Sequence, residues 1–250
     1  MAAPGGWTEH SVASHPCHVY EPPRRHATGG VVLYLHGVHL QTLHDHQAFA
    51  DGFNRHGLVC VAPMTGPTWW VERITAAFDS RFSPVEHLLA NVLPFIAERF
   101  GATPPRIGLL GTSMGGQGAL RLAYKRPDMF PVVAALAPAI DYHLRLREGD
   151  EILSALYDDD EEQARQDTAL LHIHPLNWPR HQFFACDPAD ARWFPSVDRL
   201  QMKLSSLGVP HECDLVTSGG GHGFAYYNCL AEKAIGFLAE RLEREQRRLA

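Results

Sequence analysis

Short apolar runs alternate with longer stretches of helical spacing along most of the chain. That alternation is the pattern of βα units, in which buried strands are each followed by a helix covering one face of a mostly parallel sheet. Residues 31–35, 58–62, 107–110, 132–136, 182–186 and 212–216 read as strands. They are mostly apolar and rich in β-branched or aromatic side chains, as strands covered on both faces require. An earlier segment, 17–20, reads as an edge strand. Apolar residues recur at helical spacing in 47–56, 85–100, 115–125, 197–207 and 230–249, and Pro94 is expected to kink or break the second of these. The expected fold class is α/β, with a mostly parallel central sheet and helices on both faces.

Residues from about 141 to 180 fit no βα unit, being polar and acidic and then rich in His and Pro. They read as a cap-like excursion over the carboxyl edge of the sheet, where loops of such sheets carry substrate contacts. No linker, charge block or internal repeat divides the chain, so residues 1–250 read as a single domain.

Charge narrows the partners. The formal net charge is -6 with His neutral, and no Lys/Arg cluster offers a footprint for a polyanion, so nucleic acid is not an expected partner. The acidic run from Asp158 to Glu162 reads as a solvated face or helix start. Five cysteines, Cys17, Cys60, Cys186, Cys213 and Cys229, are dispersed without a C-x-x-C pair, and read as buried free thiols rather than a disulfide or zinc framework. The N-terminal run from Met1 to Trp7 has no basic region followed by an apolar core, and no apolar run reaches the roughly 18 residues of a membrane span. A cytoplasmic location without a membrane partner is the expectation.

The segment Leu109-Leu110-Gly111-Thr112-Ser113-Met114-Gly115-Gly116 changes the picture, because a predicted strand runs through G-x-S-x-G into a predicted helix. A serine at such a strand-to-helix turn is held above the sheet edge. Side chains at Gly111 and Gly115 would collide with neighbouring backbone. The turn also aims the Met114 N–H, at the start of the helix, towards an attacked carbonyl oxygen. A phosphate-binding loop would need a Gly-Lys-Ser/Thr ending, which is absent.

A hydroxyl near its free pKa is a poor nucleophile, so Ser113 needs a base within hydrogen-bond reach and a third group to orient it. His222 follows the last predicted strand in Ser218-Gly219-Gly220-Gly221-His222 and is the candidate base. Two carboxylates, Asp187 and Asp190, leave the preceding strand. Asp187 precedes Pro188, a context that also suits a turn-forming Asp. Asp190 sits farther into the loop and is favoured as the orienting acid, with Asp187 its competitor. The strand 31–35 ends in His36-Gly37-Val38, which places Val38 N–H as the second oxyanion donor and His36 as a structural residue beneath the site.

On His36-Gly37, Gly111 to Gly116, the Asp187 to Asp190 turn, and Gly220-Gly221-His222 followed by Phe224 and Tyr226, the chain resembles the α/β-hydrolase superfamily, and within it the esterase D-like branch of S-formylglutathione hydrolases, feruloyl esterases and carboxylesterases. That branch commonly carries its acid at the end of a G-x-x-D turn. Here Asp187 stands in place of that Gly and Asp190 takes the acid position. The resemblance implies cofactor-free hydrolysis of a small carboxylic ester or thioester through an acyl-enzyme on Ser113. An acyltransferase would use the same residues, and a serine peptidase on this fold often adds an access-limiting domain. An inactive binding module would not need every triad position filled.

The histidines His36, His39, His44 and His46, and His172 and His174, form no recognised metal motif, so no metal site is expected. His39 follows the oxyanion strand and is placed to face the pocket. Trp69 and Trp70 follow another strand end, as pocket lining or as loop packing.

Overall fold

A computed structural model of the protein describes residues 5–26 and 30–249, so Met1 to Pro4 of the N-terminal run, read above for a targeting segment, lie outside the described residues. Elements follow in the order β1 (Gly6–Val12), β2 (His15–Glu21), β3 (Val31–Leu35), α1 (Gln47–His56), β4 (Val59–Pro63), α2 (Pro84–His87), α3 (Leu93–Phe100), β5 (Ile107–Thr112) and α4 (Met114–Lys125). Then come β6 (Val132–Leu136), α5 (Glu151–Tyr157), α6 (Glu161–Gln166), β7 (His181–Ala185), α7 (Phe194–Ser206), β8 (Glu212–Asp214) and α8 (Phe224–Leu249). The strands form one 8-stranded sheet in the order β1-β2-β4-β3-β5-β6-β7-β8. β1 pairs antiparallel with β2 and β2 with β4, and every other pairing is parallel.

Strands β3, β4, β5 and β6 are buried along their whole length because helices cover both faces. A Cβ on Gly108 of β5 would sit 3.2 Å from Leu238 and 3.3 Å from Leu242 of α8, whereas one on Gly111 would strike the first turn of α4. Strand side chains alternate in direction, so residues three apart face opposite sides and α4 and α8 sandwich the sheet. α1 lies beside α8, with Gly52 against Ile235.

Register sets where the loops begin. Leu35 pairs with Gly111, Thr112 with Leu136, Leu136 with Ala185 and Ala185 with Asp214. The carboxyl ends of β3, β5, β7 and β8 therefore lie nearly level, and the segments leaving them share one edge.

Three expectations change. β1 is an additional edge strand with no apolar run, since most of its residues are exposed or half-buried. Its hairpin to β2 turns through Ala13 and Ser14, both at positive φ (48° and 73°), so the two-residue turn lacks the Asn-Gly or Asp-Gly signature that usually marks it. At Pro94 the chain stays helical: Leu88–Val92 widen into a π turn, and Pro94 falls in the first turn of α3, where its missing N–H costs nothing. Of the five free cysteines, Cys17, Cys60 and Cys186 are buried, but Cys213 and Cys229 are exposed, because Cys213 sits on the short edge strand β8 and Cys229 on the outer side of α8.

The excursion after β6 comprises a 3₁₀ helix at Tyr142–Glu148, α5, α6 and a second 3₁₀ turn at Ala169–His172. The acidic run forms helix boundaries. Asp158 ends α5 in the left-handed region, and the Asp160 carboxylate caps α6 by accepting the Gln163 N–H at 2.9 Å. Among the described residues no helix is long and apolar enough to cross a membrane.

Asp214 closes β8 and fixes the start of the following loop. Its carboxylate accepts the N–H groups of Val216 (3.2 Å) and Thr217 (2.9 Å), the Thr217 hydroxyl (2.9 Å) and Lys233 of α8 (2.7 Å). Burial pushes this carboxyl up, but Lys233 and the Thr217 and Val216 donors outweigh it and bring the pKa to about 2. A folded value below the unfolded one of about 3.9 gives stability that is full above that pH and is lost as pH falls towards 2. Thermal unfolding between pH 7 and pH 2 is expected to show Asp214→Asn less stable than the native chain at pH 7, with the gap closing between about pH 4 and pH 2.

Candidate active site

The elbow is built on two contacts that leave no room for a side chain. A Cβ on Gly115 would lie 1.9 Å from the Leu35 carbonyl oxygen, and one on Gly111 would lie 2.1 Å from the Gly115 oxygen. With both positions glycine, β5 turns into α4 within one residue, and Ser113 takes φ 54°, ψ -119°. For a non-glycine residue this conformation is strained, and the surroundings hold it in place. Ser113 N–H donates to Leu136 O (3.0 Å), and its carbonyl accepts the N–H groups of Gln117 (3.1 Å) and Ala139 (3.0 Å).

Ser113, His222 and Asp190 come together. The Ser113 hydroxyl oxygen lies 2.8 Å from His222 Nε2, and His222 Nδ1 lies 2.7 Å from Asp190 Oδ2. Asp190 is buried, and its other oxygen accepts the Trp193 N–H at 3.1 Å. Burial alone would raise the Asp190 carboxyl, but the His222 hydrogen bond and charge, with the N–H groups of Trp193 and Arg192, hold it below the usual carboxylate range.

Asp187 does different work. Its Oδ1 accepts the Ala189 N–H (2.8 Å) and the Ser218 hydroxyl (2.9 Å), and its Oδ2 accepts the N–H groups of Gly219 (2.7 Å) and Gly221 (2.8 Å). One buried carboxylate thus makes the turn that carries Asp190 and clasps the glycine loop that carries His222. Burial opposes its ionisation, and these four donors outweigh burial and keep it charged.

His36 lies under the site. It is buried, its Nδ1 lies 2.9 Å from the Gly37 carbonyl, and its Nε2 accepts the Thr65 N–H at 3.2 Å. Burial lowers its pKa to about 4, so the ring is neutral with the proton on Nδ1. The two tryptophans divide. Trp70 packs beneath, donating its indole N–H to His36 O (3.0 Å), while Trp69 lines the cavity above Ser113.

That cavity, of about 260 Å³, is lined by Gly37, Val38, His39, Trp193 and Phe224 as well as Ser113, His222 and Trp69. It lies just below the roughly 300–1,000 Å³ of sites for drug-sized ligands, a size suited to a small substrate. Val38 sits beside Ser113 at the cavity wall, and Met114, buried at the start of α4, has an N–H that needs no partner within the helix. The other histidines disperse: His46 stacks on Phe224 with ring centroids 3.5 Å apart, and His172 approaches Asp167 at 3.4 Å. Among the described residues no group of three or more His, Cys, Asp or Glu converges on a metal-sized site.

Sequence reasoning missed Tyr227. Its side chain is buried, and its hydroxyl lies 3.1 Å from His222 Nε2 and also bonds the Ser113 hydroxyl. Burial, then the nearby Tyr34 and Asp190, push its pKa up, so it stays a proton donor. Nε2 has one lone pair, and two hydroxyls reach it.

A model of the Esterase family matches residues 14–230, most of the chain. The chain belongs to the Esterase family. Among relatives of this esterase-family chain, the S-formylglutathione hydrolase of Bos taurus is 27% identical over 141 residues, 48% of this chain and 50% of that protein. That of Rattus norvegicus is 27% identical over 155 residues, 52% of this chain and 55% of that protein. The chain therefore spans about half the length of the curated relatives it matches. Among solved structures, an S-formylglutathione hydrolase from Agrobacterium tumefaciens superposes with a TM-score of 0.77 at 19% identity, covering 95% of each chain. FphF, a fluorophosphonate-binding serine hydrolase of Staphylococcus aureus, gives 0.78 at 15% identity over 95% of this chain and 99% of that one. A ferulic acid esterase gives 0.76 at 15%, over 96% of this chain and all of the other. At such identities these likenesses establish the fold, which is that of the α/β-hydrolases.

The two carboxylates are separable by experiment. Asp190→Asn is expected to lower kcat by about 10³–10⁴-fold with little change in melting temperature. Asp187→Asn is expected to cost less activity but to lower the melting temperature by about 4–8 °C, since an amide cannot accept at both ends of the clasp. Tyr227→Phe removes a donor to the serine oxygen and is expected to slow acylation about tenfold, read by rapid-mixing kinetics on an activated ester.

Proposed function

We propose that this chain hydrolyses small carboxylic esters or thioesters by serine catalysis through an acyl-enzyme. The observation carrying this reading is the continuous chain from the Ser113 hydroxyl through His222 to the buried Asp190 carboxylate, opening into a cavity of about 260 Å³. Ser113 Oγ attacks the carbonyl carbon while His222 Nε2 takes its proton, and Asp190 holds the imidazole and offsets its charge. The N–H groups of Val38 and Met114 stabilise the oxyanion. His222 then returns the proton to the departing alkoxide or thiolate, leaving an ester on Ser113. Water, deprotonated by the same nitrogen, displaces the serine oxygen and frees the acid.

Membership in the Esterase family supports the reaction class, and relatives named S-formylglutathione hydrolase and a structural neighbour named ferulic acid esterase support including thioesters with esters. The same reading takes the chain as one domain on one sheet, with the excursion at about 141–180 contributing to the cavity wall. Five unpaired thiols, two of them exposed, fit a reducing, cytoplasmic setting.

The test is hydrolysis of p-nitrophenyl acetate with labelling by a fluorophosphonate probe. The native chain is expected to turn over the ester and to take up label at Ser113. Ser113→Ala, folded by circular dichroism, is expected to lose label and at least about 10⁴-fold in rate. Undiminished hydrolysis by that variant would overturn the proposal.

A further inference from the structure

The cavity wall carries Arg145 and Arg192 and not one Asp or Glu, although the chain as a whole has a formal charge of -6. The two arginines come from separate segments. Arg145 lies in the 3₁₀ helix Tyr142–Glu148 with its guanidinium 5.7 Å from the Trp69 ring, and Arg192 lies between Asp190 and α7 with its guanidinium 4.9 Å from the Trp193 ring. Both indoles also line the cavity, so each cation lies within cation–π reach of a wall of the site.

Each arginine has an acidic partner, and both partners stand behind the wall. Asp150 accepts from Arg145 Nε at 2.7 Å while capping α5 through the Ile152 and Leu153 N–H groups, and Glu148 accepts from Arg192 Nη2 at 2.6 Å. A guanidinium has five N–H donors, and each acid engages one nitrogen, so donors remain on both for a second anion. The acids thus orient the cations and offset part of their field, while the nearest charges seen from inside the cavity are positive.

We infer that Arg145 and Arg192 form a carboxylate-recognising rim, and that the preferred substrate is a small ester or thioester bearing a carboxylate on its acyl or leaving arm. This rests on the hydrolase reading above and names the substrate class for the same site. Arginine suits the task because its fork matches a carboxylate in two hydrogen bonds. Partial exposure makes the effect sensitive to salt.

The experiment compares kcat/KM within two pairs of esters that differ by a carboxylate: p-nitrophenyl hydrogen succinate against p-nitrophenyl pentanoate for the acyl arm, and 4-acetoxybenzoate against phenyl acetate for the leaving arm. The charged-to-neutral ratio is expected to fall about tenfold in Arg145→Gln/Arg192→Gln for one pair, to fall less in Arg145→Lys/Arg192→Lys, which keeps the charge but loses the fork, and to shrink in the native chain at 0.5 M KCl. The pair that responds identifies the arm. A ratio unchanged by the Gln substitutions in both pairs would overturn the inference. Binding of both ester pairs to Ser113→Ala, followed by tryptophan fluorescence, separates this inference from the hydrolase reading. Tighter binding of the charged member of one pair that is lost in the Gln background supports the rim even if the native chain hydrolyses none of the esters, a result that would overturn the hydrolase reading alone. Equal affinities within both pairs would overturn the rim.

Discussion

Everything at the candidate site depends on the closeness of two backbones. The Leu35 carbonyl at the end of β3 leaves no volume for a Cβ on Gly115, and the Gly115 carbonyl leaves none for one on Gly111. This contact forces β5 to give way to α4 within a single residue and puts Ser113 in a conformation it would not choose. The strain is held by the bond that Ser113 N–H donates to Leu136 O of β6 and by those that the Ser113 carbonyl accepts from Gln117 of α4 and from Ala139. The position of Ser113 is therefore a property of the sheet, and the loops around it have a rigid reference to build on.

The second half of the site uses a different device. His222 is carried on a glycine-rich loop, which by itself would sample many conformations. Asp187 removes that freedom by accepting two N–H groups and a hydroxyl from the loop while shaping its own turn. Asp190, three residues later, is then free to serve the imidazole while the N–H groups of Trp193 and Arg192 hold it in place. Two neighbouring carboxylates of the same strand end divide into a fastener and a partner for His222. The division follows from geometry, since Asp187 still lies at the strand end facing β8 and Asp190 has rounded the turn, closed by its N–H on Asp187 O at 2.9 Å.

How much of this was legible in the sequence follows the range of the interactions involved. β3, β6 and α1 fall where their spacing predicts, because burial on both faces or one face writes itself into a local pattern. Ser113 and His222 were readable because a sharp turn and a glycine loop need particular residues at fixed offsets. The competition between Asp187 and Asp190 was visible but open, since both leave one strand and only the three-dimensional course of the 218–221 loop distinguishes them. β1 left no signal, its turn being made without glycine or asparagine. Tyr227 lies before the helical spacing that begins at residue 230, in a stretch the sequence pattern assigns to no element. Its N–H bond to Gly223 O at 3.0 Å places it in the first turn after the His222 loop, and that proximity was the one clue available. Arg145 and Arg192 carry no signal in the sequence, because they are distant along the chain and only tertiary packing brings both to the cavity wall.

The cavity wall and Ser113 also share a support. Trp69 stacks on Tyr142 at 4.8 Å, the Tyr142 hydroxyl meets that of Tyr157 at 2.7 Å, and Tyr157 donates to Asp167 at 2.8 Å. Asp167 is held by Arg121, a buried arginine of α4, the helix that begins at the residue after Ser113. A buried ion pair of this kind contributes little net stability, because desolvation offsets most of the attraction. Its effect is positional. Replacing it with apolar side chains would preserve burial but leave the excursion free to slide over α4. With it, Trp69 and the first 3₁₀ helix are referred to the same rigid body as the proposed nucleophile. Trp69 and Trp70 themselves sit at positive φ (55° and 52°), a cost for bulky residues that Met114 Sδ and the His36 carbonyl help to offset by accepting their N–H groups at 3.3 and 3.0 Å. The excursion can thus vary in sequence along its exposed side, and so vary what the cavity accepts, without disturbing the distance between Ser113 and the wall that faces it.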